Sequence, residues 1–114
     1  MQPSRLILVG VLWLCAAVAA PSPARADAID GDWCRDGASF RIRGPSIVTP
    51  GGNSITGDYD RHGFRYTVPS GERYGGSEIT MSLLNDDMVV LKRRDGATKA
   101  EMEPETWRRC KVTS

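Results

Sequence analysis

Two cysteines near opposite ends of the chain, Cys34 and Cys110, constrain the fold more than any other feature. A third, Cys15, lies in the apolar run Leu6 to Ala20, "LILVGVLWLCAAVAA", after the positive Arg5 and before "PSPARA". That run is short for a membrane span, and Ala24 and Ala26 stand in the A-x-A arrangement that signal peptidases cut. Residues 1–26 therefore read as a cleaved signal peptide. Export to the periplasm or outside the cell is expected, with no membrane span after cleavage. Residues 27–114 then form a single small domain of 88 residues with two cysteines. An even count in an exported chain implies a disulfide between them. The rival chemistries are poorer fits. A reactive thiol usually needs a neighbouring His or Cys, and nothing in the spacing ties His62, the one histidine, to either cysteine. A structural zinc site needs four ligands, and two Cys with one His fall short. A chain this small builds only a marginal core, so a covalent link between its ends matters.

Apolar and polar residues alternate through short runs separated by turns, the pattern of strands. "GDWC" opens the series. "SFRIR" (Ser39 to Arg43) sets Phe40 and Ile42 against Arg41 and Arg43. "SIV", "ITGDYDR", "FRYTV", "EITMSLL", "MVVLKR" and the brief "TKAEME" follow. Between them lie "TPGGN", the nine-residue "PSGERYGGS" (Pro69 to Ser77), "NDD", and Arg94-Asp95-Gly96-Ala97, whose Asp-Gly suits a type I′ hairpin turn. The one helix signal is "EPETWRRC", with Pro104 at a first helical position. Thr106 and Trp107 favour β structure, and a strand is the reading taken. The expected fold is all-β: a small antiparallel barrel or sandwich of six to eight short strands, its ends joined by the disulfide. Core candidates are Trp33, Phe40, Ile42, Tyr59, Phe64, Tyr66, Ile79, Met81, Val90, Leu91 and Trp107. Met81, Met88 and Met102 read as core filling rather than soft-metal ligands.

Parity places the disulfide. Trp33 and Cys34 are adjacent, and Trp107 and Cys110 are three apart, so each pair points to opposite sides of a strand. If the end strands pair antiparallel with Cys34 facing Cys110, both tryptophans share the other face. That face should be the core, with the disulfide outside.

Gly31-Asp32-Trp33 resembles the G-x-W signature of lipocalin-like (calycin) barrels. The resemblance implies an arginine from the last strand packed over that tryptophan, a part Arg109 would take, so that Trp33, Trp107 and Arg109 would close the core. The stretches "DGDWC", "FRIRGPSIVTPGG", "GDYDRHGFRY", "MSLLNDD" and "WRRC" resemble a family of small secreted alphaproteobacterial proteins with no assigned activity. That likeness implies export and one compact domain.

The polar clusters carry little chemistry. Asp58, Asp60 and His62 share one face of a strand, but Asp58 and His62 stand roughly 13 Å apart in extended chain. All three cannot reach one metal ion without a bulge. Asp58, Asp60, Asp86, Asp87 and Glu72 offer carboxylates, yet no spacing singles out an acid/base pair. "PGG" and "YGG" lack the lysine of a phosphate loop. No catalytic residue, metal or cofactor is expected. With Arg5 and Arg25 removed, 13 basic side chains face 14 acidic ones, a net charge of −1, which gives no reason to expect nucleic acid. Tyr74, with Arg73 beside it in the glycine-rich loop, is the best recognition candidate, an aromatic in a mobile loop. The expected function is a monomeric, non-enzymatic binding or envelope-associated module that meets an envelope protein or a small ligand. The alternatives are a lipocalin-like carrier of an apolar ligand, or a small protease or lysozyme inhibitor.

Overall fold

The computed structural model describes residues 28–111. The expected signal peptide and Cys15 lie outside the described residues. Nine antiparallel strands, β1 (Gly31–Arg35), β2 (Ala38–Arg43), β3 (Ser46–Val48), β4 (Ser54–Thr56), β5 (Asp58–Asp60), β6 (Gly63–Thr67), β7 (Glu78–Asn85), β8 (Met88–Arg94) and β9 (Glu105–Arg109), form one sheet in the order β4-β3-β2-β1-β9-β8-β7-β6-β5. Among the described residues there is no helix. The segment 105–109 is a strand, as Thr106 and Trp107 favour.

The connectivity forces the sheet to curl. The two edge strands, β4 and β5, are separated by one residue, Gly57. A flat sheet would hold its edges roughly 38 Å apart, eight spacings of about 4.8 Å, and one residue spans about 3.5 Å. The sheet is therefore a nearly closed barrel. The run "ITGDYDR", expected as one strand, bends at Gly57. Its first half pairs with β3 and its second with β6. This division raises the strand number to nine, above the expected six to eight. A Cβ at Gly57 would lie 2.5 Å from the Arg65 carbonyl oxygen and from Phe64 Cε1, so the bend leaves no room for a side chain. "TKAEME" contributes only a single bridge, Arg94 to Glu101.

Turn chemistry departs from the sequence expectation at one hairpin, and another tight turn carries the type I′ geometry. The type I′ residues are Asp36 (φ 48°) and Gly37 (φ 85°), which join Arg35 to Ala38 in two residues. Asp95-Gly96 instead opens a longer loop. The Asp95 carboxylate accepts the N–H groups of Ala97 (2.8 Å) and Thr98 (2.9 Å), and the Asp95 N–H donates to the Ala100 carbonyl at 2.9 Å. Side-chain capping of this kind competes with a tight turn.

The barrel is filled by its own side chains: Ile29, Trp33, Phe40, Ile42, Ile47, Phe64, Tyr66, Val68, Ile79, Met81, Val89, Leu91 and Trp107 are all buried. Phe40 packs on Trp107 with ring centroids 4.9 Å apart. Three core expectations are corrected. Val90 and Leu91 are neighbours in one strand and cannot both face inward. Val89 and Leu91 take the core, and Val90 is half-buried on the outer side. Tyr59 is 37 % exposed, because β5 lies beyond the bend at the barrel seam; its hydroxyl donates to Asp30. Met102 is exposed outside the barrel.

The disulfide Cys34–Cys110 joins β1 to the end of β9, with Cα atoms 4.9 Å apart. Both tryptophans face the interior and the bond lies on the opposite face, following parity. The register differs by two residues. Cys34 stands opposite Arg108, and the Cys110 N–H donates to the Asp32 carbonyl at 3.0 Å, so the bond runs diagonally rather than between facing residues.

Candidate functional site

Strand parity gives the barrel two dissimilar ends. Inward positions on β1 are Gly31, Trp33 and Arg35; on β8, Val89, Leu91 and Arg93; on β9, Glu105, Trp107 and Arg109. Each row starts or finishes in a charged residue, so the apolar interior is bounded by a polar layer at both ends.

One end is shut by Arg109. Its guanidinium lies 4.4 Å from the centroid of the Trp33 ring. Nη1 donates to the Asp30 carbonyl and Nη2 to that of Ala28, both at 2.8 Å, and Nε donates to the Asp86 carbonyl at 2.5 Å. Trp33 Nε1 donates to the Ile29 carbonyl at 2.9 Å, and Ile29 is fully buried beneath. Gly31 makes room. It sits at φ 131°, and a Cβ there would come within 2.6 Å of Arg109 Nη1. Every polar group of this constellation is used up in closing the barrel.

The other end is open. The hairpin at 36–37, the turn at 49–53 and the loop at 69–77 surround a cavity of about 970 Å³ whose walls include Arg35, Tyr66, Glu72, Arg73, Tyr74, Arg93, Glu105 and Trp107. Tyr74 and Arg73, singled out in the sequence, stand on its rim. Hydrogen bonds within the loop and to its neighbours hold the segment that carries them. Backbone hydrogen bonds of 2.8–3.0 Å run from Glu72 to Pro69, Gly75 to Glu72, Gly76 to Val68, Ser77 to Tyr74 and Val68 to Ser77. The Glu72 carboxylate ties the loop to the neighbouring turn, accepting the Thr49 hydroxyl and, at 2.6 Å, the Asn53 amide.

Tyr74 is held in the left-handed region, φ 65°, which is unfavourable for a bulky side chain. The residue is 40 % exposed, and two guanidinium groups approach its ring, Arg93 at 4.4 Å and Arg73 at 4.9 Å from the centroid. Arg93 also donates to Glu105 at 2.8 Å, and the second oxygen of Glu105 accepts Trp107 Nε1 at 3.0 Å. Arg35 Nε and Arg93 Nε are buried and have no hydrogen-bond partner among the described residues.

Burial disfavours the charge on Glu105, but the Arg93 guanidinium and the Trp107 N–H outweigh it and hold the carboxyl below its ordinary value. A carboxyl whose folded value is depressed stabilises fully above its unfolded value, about pH 4.3, and loses that contribution as pH falls through the folded one. The Glu105 carboxyl should therefore titrate below ordinary glutamate in a ¹³C NMR pH series, and Arg93→Gln should move its midpoint upward. An unchanged midpoint in the variant would remove the ion pair as its cause.

The remaining sequence candidates are scattered. Asp58, Asp60 and His62 are exposed, and Asp60 accepts the His62 backbone N–H at 2.7 Å as a turn cap. Among the described residues no three His, Cys, Asp or Glu side chains group as a metal site. Asp86 and Asp87 lie at the shut end, where their carbonyls bind Arg109. Sequence reasoning missed Arg35, Arg93 and Glu105. Their signal was parity: each continues the inward row of a tryptophan or leucine.

Searches against protein-family models, curated proteins and solved structures find no match to this chain.

Proposed function

We propose that this chain is an exported, non-enzymatic binding module that takes its partner at the open end of the barrel. The observation that carries the reading is Tyr74: a large aromatic kept at φ 65° on the rim of a cavity, exposed, with the guanidiniums of Arg73 and Arg93 against its ring. Backbone strain of this kind persists where the surroundings over-determine it, and it clusters at binding sites. Aromatic and arginine side chains also dominate recognition surfaces. The disulfide and the signal-like leader support a periplasmic or secreted location. A carrier of apolar ligands inside the barrel has no support, because the interior is occupied by the protein's own side chains.

The test is Tyr74→Gly. Glycine adopts a positive φ freely, so the variant should unfold at the same urea concentration or a slightly higher one. The mature protein, used as bait in periplasmic extract with mass spectrometry of proteins and small molecules, should lose its partner in Tyr74→Gly and keep it in Leu84→Ser, a change at an exposed position beside the shut end. Equal capture by both variants would sink the proposal.

A further inference from the structure

Beside the Nε atoms of Arg35 and Arg93, unpartnered among the described residues, the open cavity presents the hydroxyl of Tyr66. The residue is only 8 % exposed, lines the cavity, and its hydroxyl makes no hydrogen bond among the described residues. With its ring buried and no protein partner for its oxygen, that hydroxyl opens on the cavity, where a ligand hydroxyl can take the place of water. We propose that a neutral polyhydroxylated ligand, a saccharide segment, binds in this cavity with one of its hydroxyls on Tyr66; the inference rests on the open end being the binding site.

Three features select that chemistry. First, the charges of the cavity are matched. Arg35 pairs with Asp36 at 3.1 Å and Arg93 with Glu105 at 2.8 Å, while Glu72 stands in the same wall as the unpaired Arg73. An anion finds no net field there. Around the phenol the balance is the reverse of anion-binding: burial and then Glu72 push the Tyr66 hydroxyl up to about 12, so it stays protonated and able both to donate and to accept. Second, the groups left over are of both kinds. Thr49 and Asn53 both bind Glu72 Oε2, leaving Oε1 as a free acceptor, and Arg73 supplies donors. Adjacent sugar hydroxyls donate and accept together, whereas an apolar ligand would leave the phenol hydroxyl and the carboxylate desolvated and unpaired. Third, the Tyr74 ring on the rim offers a flat face to the C–H side of a sugar ring, once Arg73, the exposed one of its two cations, swings aside.

The experiment is a ¹⁵N–¹H NMR titration of the mature protein with maltotriose and, separately, tri-N-acetylchitotriose. Sodium sulfate serves as the anion probe and tetra-alanine as the peptide probe. Saturable shifts are expected at the Tyr66 and Tyr74 amides and the Trp107 indole with at least one saccharide. Tyr66→Phe should weaken that binding about three- to tenfold, the worth of one neutral hydrogen bond. Its stability should be unchanged, since the hydroxyl has no partner in the protein. Absence of saturable shifts with both saccharides overturns the inference. So does equal affinity in Tyr66→Phe, or a response at the cavity to sulfate or tetra-alanine alone. If the saccharides fail while Tyr74→Gly still abolishes capture from extract, the ligand class falls and the binding site stands. If Tyr74→Gly captures everything the native protein does, the site itself falls.

Discussion

Replacing Cys34 and Cys110 together by serine should lower the unfolding free energy by about 4–5 kcal/mol, from the unfolded-chain entropy that a cross-link of this span removes. The two residues are 76 apart in sequence, nearly the whole domain. A domain of this size holds only about 5 kcal/mol in total, so the variant should be largely unfolded at physiological temperature. The position of the bond makes the experiment clean. It lies outside the barrel, so serine opens no cavity among the core side chains, and the loss reports the cross-link rather than packing. Urea unfolding followed by tryptophan fluorescence is a suitable measure, because Trp33 and Trp107 are buried and are the only tryptophans among the described residues. Reduction of the native protein should reproduce the variant's midpoint. A loss below about 2 kcal/mol would mean that β1–β9 pairing and the Arg109 clamp already hold the ends together, against the chain-entropy account.

What the sequence made legible was set by local rules, and what it hid was set by closure. Strand alternation and the parity of Trp33, Cys34, Trp107 and Cys110 are properties of neighbouring residues, so the inner face of the tryptophans and the outer face of the disulfide were both readable. The diagonal register of the bond was not, since it depends on how β1 slides against β9. Gly57 looked like an ordinary strand residue. Only the return of the chain to the opposite edge of the sheet reveals it as the bend that closes the barrel, and the exposure of Tyr59 follows from that bend. The open end shows the same division. Tyr74 stood out as an aromatic among glycines, but its left-handed backbone and its contacts with Arg73 and Arg93 are tertiary facts. Arg93 and Glu105 were readable by extending the inward rows of Leu91 and Trp107 by one step. Charge argued against that step, and the structure resolves the conflict by pairing the two with each other at the barrel's rim.

At the shut end, Arg109→Met should destabilise the protein by about 3 kcal/mol, and Arg109→Lys by about 2 kcal/mol. Hydrogen bonds from a charged donor contribute about 1.5–3 kcal/mol each but do not add, and a partly exposed site weakens them. Methionine keeps an unbranched stem over Trp33 while leaving the carbonyls of Ala28, Asp30 and Asp86 without their donor. Lysine keeps the charge, but one ammonium cannot reproduce the planar fork that serves three carbonyls from three directions. The loss should also be local. Arg109 connects β9 to the segment 28–30 and to the turn after β7, whereas the pairing of β6 with β7 does not involve it. Hydrogen exchange should therefore quicken at the Ile29 amide, which donates to the Arg61 carbonyl at 2.8 Å, well before it changes in β6 or β7. Combining Arg109→Met with Trp33→Phe in a double-mutant cycle isolates the ring contact, expected to couple by about 1 kcal/mol. Were Arg109→Lys as stable as the native protein, the fork would not be what closes the barrel. The charge over Trp33 would then suffice, and the Gly31 backbone, open at φ 131° to admit the guanidinium, would need another explanation.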